Sequence, residues 1–158
     1  MLIEQKHHFY AAHRNQQLAS DPCWFLHGHT YHVTVCVELD QTDNCGVSIL
    51  FSDLKQRIET IIKQLDHRCL LHQEDPLYEA IRTSKEPMLE EGLVAFPFET
   101  SVENLSAWLF QQINQSVGGL LSEIRLQETT TSICCFQKKD FLKWDYVEYQ
   151  YTKKGEAV

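Results

Sequence analysis

The chain has 158 residues, 43% hydrophobic and 23% charged, enough to bury one core and too apolar for a disordered segment. With 14 basic residues against 22 acidic ones, its formal charge is −8, which disfavours broad contact with nucleic acid or an anionic membrane. No apolar run approaches the roughly 20 residues that span a bilayer, and the opening MLIEQKHHFY lacks the apolar stretch of a secretory signal. The expectation is one cytoplasmic domain over residues 1–158, with no direct nucleic-acid or membrane partner.

In chain order, residues 2–13 read as a strand, with Ile3, His7, Phe9, Ala11 and His13 on one parity. A polar loop follows over 14–22. From His27 the alternation is clear, with Tyr31, Val33, Val35, Val37 and Leu39 on one face and Thr30, His32, Thr34 and Glu38 on the other. Residues 40–46 are turn chemistry, and 47–51 a short returning strand. Ser52 is placed to cap a helix, with Asp53 at its positive end. Leu54, Ile58, Ile61, Ile62 and Leu65 give that helix one apolar face. The stretch 72–99 is hard to read apart from a strand at 92–96. Thr100-Ser101-Val102-Glu103 offers a capping box for a second helix through about residue 115, buried through Leu105, Trp108 and Leu109 and stopped by Gly118-Gly119. Further strands are expected over 123–130 and within 133–151. The order implies an α+β fold, with helices on one face of an antiparallel sheet.

Six Cys without a C-x2-C pair read as free thiols. The eight His carry more information. His27 and His29, at i and i+2 of a strand, point to the same side. If the first two strands pair antiparallel, His13 joins them as a third nitrogen donor, leaving one position open, which is the pattern of a catalytic zinc. A polar strand entry without metal is the alternative. Cys23, four residues before His27, reads as a base or nucleophile, a fourth ligand, or a buried filler. Asp66-His67 reads either as an acid/base pair or as a helix-end surface feature. Glu128 continues the parity of Ile124 and Leu126. It is either a salt-bridged strand end or an acceptor for a guanidine-like edge.

Together these segments resemble the 6-pyruvoyl-tetrahydropterin synthase / 6-carboxy-tetrahydropterin synthase family. The matching blocks are Phe9-Tyr10-Ala11-Ala12-His13-Arg14, Cys23-x3-His27-Gly28-His29-x-Tyr31, Phe51-Ser52-Asp53-Leu54-Lys55, Leu65-Asp66-His67, Thr100-Ser101-Val102-Glu103-Asn104-Leu105 and Gln127-Glu128-Thr129, in family order. The resemblance implies the tunnelling fold (T-fold), a four-stranded antiparallel sheet with two helices on one face. Such subunits form rings, most often a hexamer. It implies Zn2+ held by His13, His27 and His29, catalysis by Cys23, Asp66 and His67, and a pterin ring held by Glu128. The implied substrate is a pterin triphosphate, 7,8-dihydroneopterin triphosphate, bound between subunits. The short Cys23-x3-His27 spacing resembles the queuosine-pathway branch, which forms 6-carboxy-5,6,7,8-tetrahydropterin and releases acetaldehyde and triphosphate. The alternatives are the pyruvoyl-forming branch and a non-catalytic pterin- or zinc-binding paralogue. The chain departs from the family at Leu50-Phe51, at Arg68-Cys69-Leu70-Leu71 and in a longer 72–99 connection. Arg14 and Arg68 are candidates for the triphosphate by proximity alone.

Overall fold

Period-two alternation builds the two longest strands and decides which face of each is buried. The computed structural model describes residues 1–40 and 42–143. Strand β1 (Leu2–His13) pairs antiparallel with β2 (His27–Glu38) from end to end, with Leu2 opposite Glu38 and His13 opposite His27. The odd-numbered residues turn inward. Phe9, Tyr31 and Val35 are fully buried, and the Phe9 and Tyr31 rings stack at 4.7 Å. Tyr10, of opposite parity, is 45% exposed.

Beyond β2, β5 (Leu121–Thr129) and β6 (Ser132–Gln137) add antiparallel neighbours. On the other side, β3 (Arg68–His72) and β4 (Leu93–Phe96) pair parallel, giving the order β4-β3-β1-β2-β5-β6. The four antiparallel strands stand as expected, and β3 and β4 enlarge the sheet to six. Leu70 and Leu71, buried in β3, supply the apolar run that makes this extension. A parallel pair needs a crossover, and the 72–99 connection provides it through α2 (Pro76–Thr83) and α3 (Pro87–Glu91).

Helices α1 (Phe51–Ile62) and α4 (Val102–Ser116) cover the inward face. Leu54 and Ile58 of α1 meet Leu105, Trp108 and Leu109 of α4 in one core with the odd-numbered residues of β1 and β2. Three local expectations are corrected. No strand forms over 47–51, because the chain bends and enters α1 at Phe51. Leu50, without a side-chain bond, takes the cap position, so Ser52 lies inside the first turn. At α4 the cap is Ser101, which accepts from Asn104 N–H, and Asn104 Nδ2 donates to Glu99 O at 2.9 Å. Thr100 is fully buried and faces β1 instead. The helix stops at Gly118 and Gly119, whose φ values of 72° and 84° suit glycine.

The expected final strand is β6, followed by the short α5 (Lys138–Phe141); the part of that expectation beyond residue 143 lies outside the described residues. Among the described residues, no helix is long and apolar enough to cross a membrane.

Candidate functional site

Strand register assembles the histidines. Because His13 pairs with His27 and Ala11 with His29, the three imidazoles share the inward face at one end of the β1–β2 ladder. Their ligand atoms all lie within 4.8 Å of one another, and their ring centroids are 4.6, 4.8 and 5.2 Å apart. This is the only group of three or more potential ligands that could hold a metal among the described residues.

Two of the rings are oriented by backbone carbonyls. His13 Nδ1 lies 2.7 Å from Thr100 O, and His27 Nδ1 lies 2.7 Å from Phe25 O. A carbonyl oxygen only accepts, so each Nδ1 carries a hydrogen, and in the neutral ring the lone pair is then on Nε2. Burial holds the His29 imidazole below its ordinary pKa, against the pull of Glu128 and with help from His13 and His27. Neutral imidazole is the metal-binding form. His13 Nε2 is buried and lacks a hydrogen-bond partner. An orphaned lone pair among gathered nitrogens is what a divalent cation satisfies, so these residues fit a metal.

Glu128 projects from β5 into the same place. Its Oε1 is 3.0 Å from His13 Nε2 and 3.5 Å from His29 Nε2, and it accepts a hydrogen bond from Tyr31 Oη at 3.0 Å. The 3.0 Å approach to His13 is close without hydrogen-bond geometry. Burial pushes the Glu128 carboxyl up, but His13, His29 and the Tyr31 hydroxyl outweigh it and hold it below its usual range. Tyr31 is driven upward by burial and by the Glu128 charge, so it stays a donor.

Cys23 lies in a 3-10 turn, Pro22–Trp24, capped by Asp21, whose side chain accepts from Cys23 N–H at 2.9 Å. Hydrogen bonding to Asp21, then burial and the charges of Asp21 and Glu128, raise the thiol's pKa. Cys23 O accepts at 2.9 Å from the N–H of Asn15, two residues past His13, and Phe25 O faces His27 Nδ1 at 2.7 Å, so this turn is tied to the histidine end of both strands.

Asp66 and His67 form a pair elsewhere. His67 Nδ1 is 3.0 Å from Asp66 Oδ2, while Asp66 Oδ1 accepts from Tyr10 N–H at 2.9 Å. His67 N–H donates to Tyr10 O, and its own φ is 58°, the left-handed region that histidine enters more readily than most side chains. Burial raises the Asp66 carboxyl, but the Tyr10 amide and His67 lower it further. The His67 ring packs 5.5 Å from that of Tyr10, on the face of β1 opposite His13. With Tyr10, Ala12, Gly28 and Thr30 it lines a cleft of about 680 Å³. One chain therefore gathers His13, His27, His29 and Glu128, with Cys23 nearby, and carries Asp66-His67 on the other side of the sheet.

Both arginines suggested for a triphosphate are engaged. Arg14 forks onto Asp75, with Nε to Oδ2 at 2.8 Å and a second bond from Nη2 to Oδ1. Arg68 Nη1 donates to Glu91 O at 2.8 Å. Sequence reading missed Tyr31 as a donor to Glu128, Thr100 and Phe25 as carbonyl acceptors, and Asp75. Inward parity marked Tyr31 as buried, and buried tyrosines usually find a partner for the hydroxyl; a backbone acceptor leaves no trace in residue type.

A family model described as 6-pyruvoyl tetrahydropterin synthase matches residues 2–139. The 6-carboxy-5,6,7,8-tetrahydropterin synthase of Haemophilus influenzae is 30% identical over 120 residues, covering 73% of this chain and 84% of its own. The enzyme of the same name from Bacillus subtilis is 27% identical, covering 84% of this chain and 82% of its own. Among solved structures, an uncharacterized protein from Wolinella succinogenes superposes with a TM-score of 0.70 at 24% identity, over 87% of this chain and 98% of that one. Plasmodium falciparum 6-pyruvoyl tetrahydropterin synthase gives a TM-score of 0.65 at 20% identity, over 87% and 97%. With its sheet order, its three-histidine cluster and a match over nearly the whole described length, the chain belongs to the 6-pyruvoyl tetrahydropterin synthase family.

Proposed function

We propose that this protein is a zinc-dependent carbon–carbon lyase of the cytoplasm. It converts 7,8-dihydroneopterin triphosphate and water to 6-carboxy-5,6,7,8-tetrahydropterin, acetaldehyde and triphosphate, in queuosine and 7-deazaguanine biosynthesis. The observation that carries this reading is the cluster of His13, His27 and His29, with two Nδ1 atoms committed to carbonyls and the Nε2 lone pairs left for a cation. The names of the relatives from Haemophilus influenzae and Bacillus subtilis support the carboxy product, as does the short Cys23-x3-His27 spacing.

Zinc held by the three histidines would polarise the side-chain hydroxyls of the substrate and lower the cost of deprotonation. Glu128 takes the aminopyrimidine edge of the pterin, an edge with two donors that matches an ionised carboxylate. Cys23 moves a proton at Sγ, and Asp66 orients His67 so that its imidazole exchanges a proton at Nε2. The opposite-face placement of the Asp66-His67 pair supports a site completed by a second copy of the chain. In this reading the protein works as a homo-oligomer, with a hexamer as the proposed form.

The test is incubation of purified, zinc-loaded protein with 7,8-dihydroneopterin triphosphate, with products identified by mass. A carboxy product with acetaldehyde is expected. A pyruvoyl product would assign the other branch, and no product would indicate a binding paralogue.

A further inference from the structure

The loop that carries Cys23 is anchored from outside itself. Arg14, directly after the metal-facing His13, forks onto Asp75, whose side chain is fully buried. Asp75 belongs to the 72–99 connection and also caps α2, accepting from Leu77 N–H at 2.7 Å. The Arg14 guanidinium lies 5.9 Å from the centre of the Trp24 ring, the residue beside Cys23. Two further bonds close the loop. Asn15 N–H donates to Cys23 O at 2.9 Å, and Gln16 N–H donates to Glu99 Oε2 at 3.3 Å. A planar guanidinium that is forked on one edge and covered by a ring on its face has little rotational freedom left. Burying such a pair adds little net stability, because desolvation offsets the attraction; what it supplies is direction.

We propose that Arg14 and Asp75 are a positioning pair for Cys23, through which the 72–99 connection fixes the 3-10 turn beside the three histidines. The inference rests on Cys23 being a proton-transfer group. It gives the connection a task in the site, and it commits Nε and Nη2 of Arg14 to Asp75 while the fork is closed.

The experiment compares wild type, Arg14→Lys and Asp75→Asn as full-length, metal-loaded proteins. Arg14→Lys keeps the charge and loses the fork; Asp75→Asn keeps the shape and loses the ion pair. The first readout is the alkylation rate of Cys23 at one neutral pH, followed by peptide mass spectrometry, with exposed Cys45 as the internal reference. The second is kcat and KM, and the third is bound metal. Both variants are expected to keep their metal and to alkylate Cys23 about tenfold faster than wild type relative to Cys45, as a loop released from a local closed state does. Turnover should fall by about 10- to 100-fold in kcat with KM nearly unchanged, the signature of a misplaced group. Wild-type alkylation of Cys23 in folded, metal-bound Arg14→Lys overturns the pairing, even if Asp75→Asn does not fold. Absence of turnover in wild type would instead remove the proposed lyase activity, with the alkylation result still deciding whether the pair holds the turn.

Discussion

The Tyr31–Glu128 hydrogen bond can be weighed by a double-mutant cycle. Tyr31 is fully buried and Glu128 is 19% exposed at its side chain, so the 3.0 Å bond is shielded from water. A hydrogen bond to a charged acceptor in such a place contributes about 1.5–3 kcal/mol. Tyr31→Phe removes the donor and leaves the ring stack with Phe9 in place. Glu128→Ala removes the acceptor. Measured on metal-free protein by urea unfolding, the two losses should fail to add by about 1.5–3 kcal/mol. With an m-value near 2 kcal/mol per molar urea, Tyr31→Phe alone should lower the midpoint by about 1 M. A coupling below about 0.5 kcal/mol would refute the reasoning, since that is the scatter expected of independent sites. The carboxylate would then lie elsewhere in solution, and Tyr31 would have no part in aiming it.

Three other outcomes follow from the geometry. Cys23→Ala should retain metal, measured by elemental analysis, while kcat falls by about 10²- to 10⁴-fold as a proton-transfer group is lost; loss of metal would make Cys23 a ligand. His27→Ala and His67→Ala should each be inactive alone, and dissociating and reassembling a mixture of the two should restore activity; no recovery would place both groups in one subunit's site. Burial holds the His7 imidazole below its ordinary value, with Lys55 and His8 adding to the effect and Glu59 opposing it. His7 therefore favours the folded state fully above pH about 6.5, and that contribution is lost as acid charges the unfolded chain. Urea midpoints between about pH 7.5 and 5 should fall less steeply in His7→Asn than in wild type; equal slopes would exclude His7 as a source.

The parts of this architecture legible in sequence were those written in periodicity. Odd parity from Ile3 to His13 and from Tyr31 to Leu39 placed two strands, and the antiparallel pairing of those strands brought His13 to His27. The rest depends on partners far away along the chain. Arg14 and Asp75 are 61 residues apart, and nothing in either segment announces the other. The parallel strands β3 and β4 are short, and their pairing depends on the path of α2 and α3, which local pattern does not specify. At 47–51 the apolar residues suggest a strand, but the chain bends there and enters α1 at Phe51. Leu50 caps that helix without a side-chain bond, so the polar signal at Ser52 misplaced its start by two residues.

The pairing of β1 with β2 sets Phe9 opposite Tyr31, Ala11 opposite His29 and His13 opposite His27. The core and the three histidines able to hold a metal are thus written on one ladder. A slip of one residue would turn Phe9 and His13 together to the far face, so a mispaired chain would lose its stacked aromatic pair and its nitrogen cluster in the same event. Metal capture during refolding is then expected to report strand registration directly.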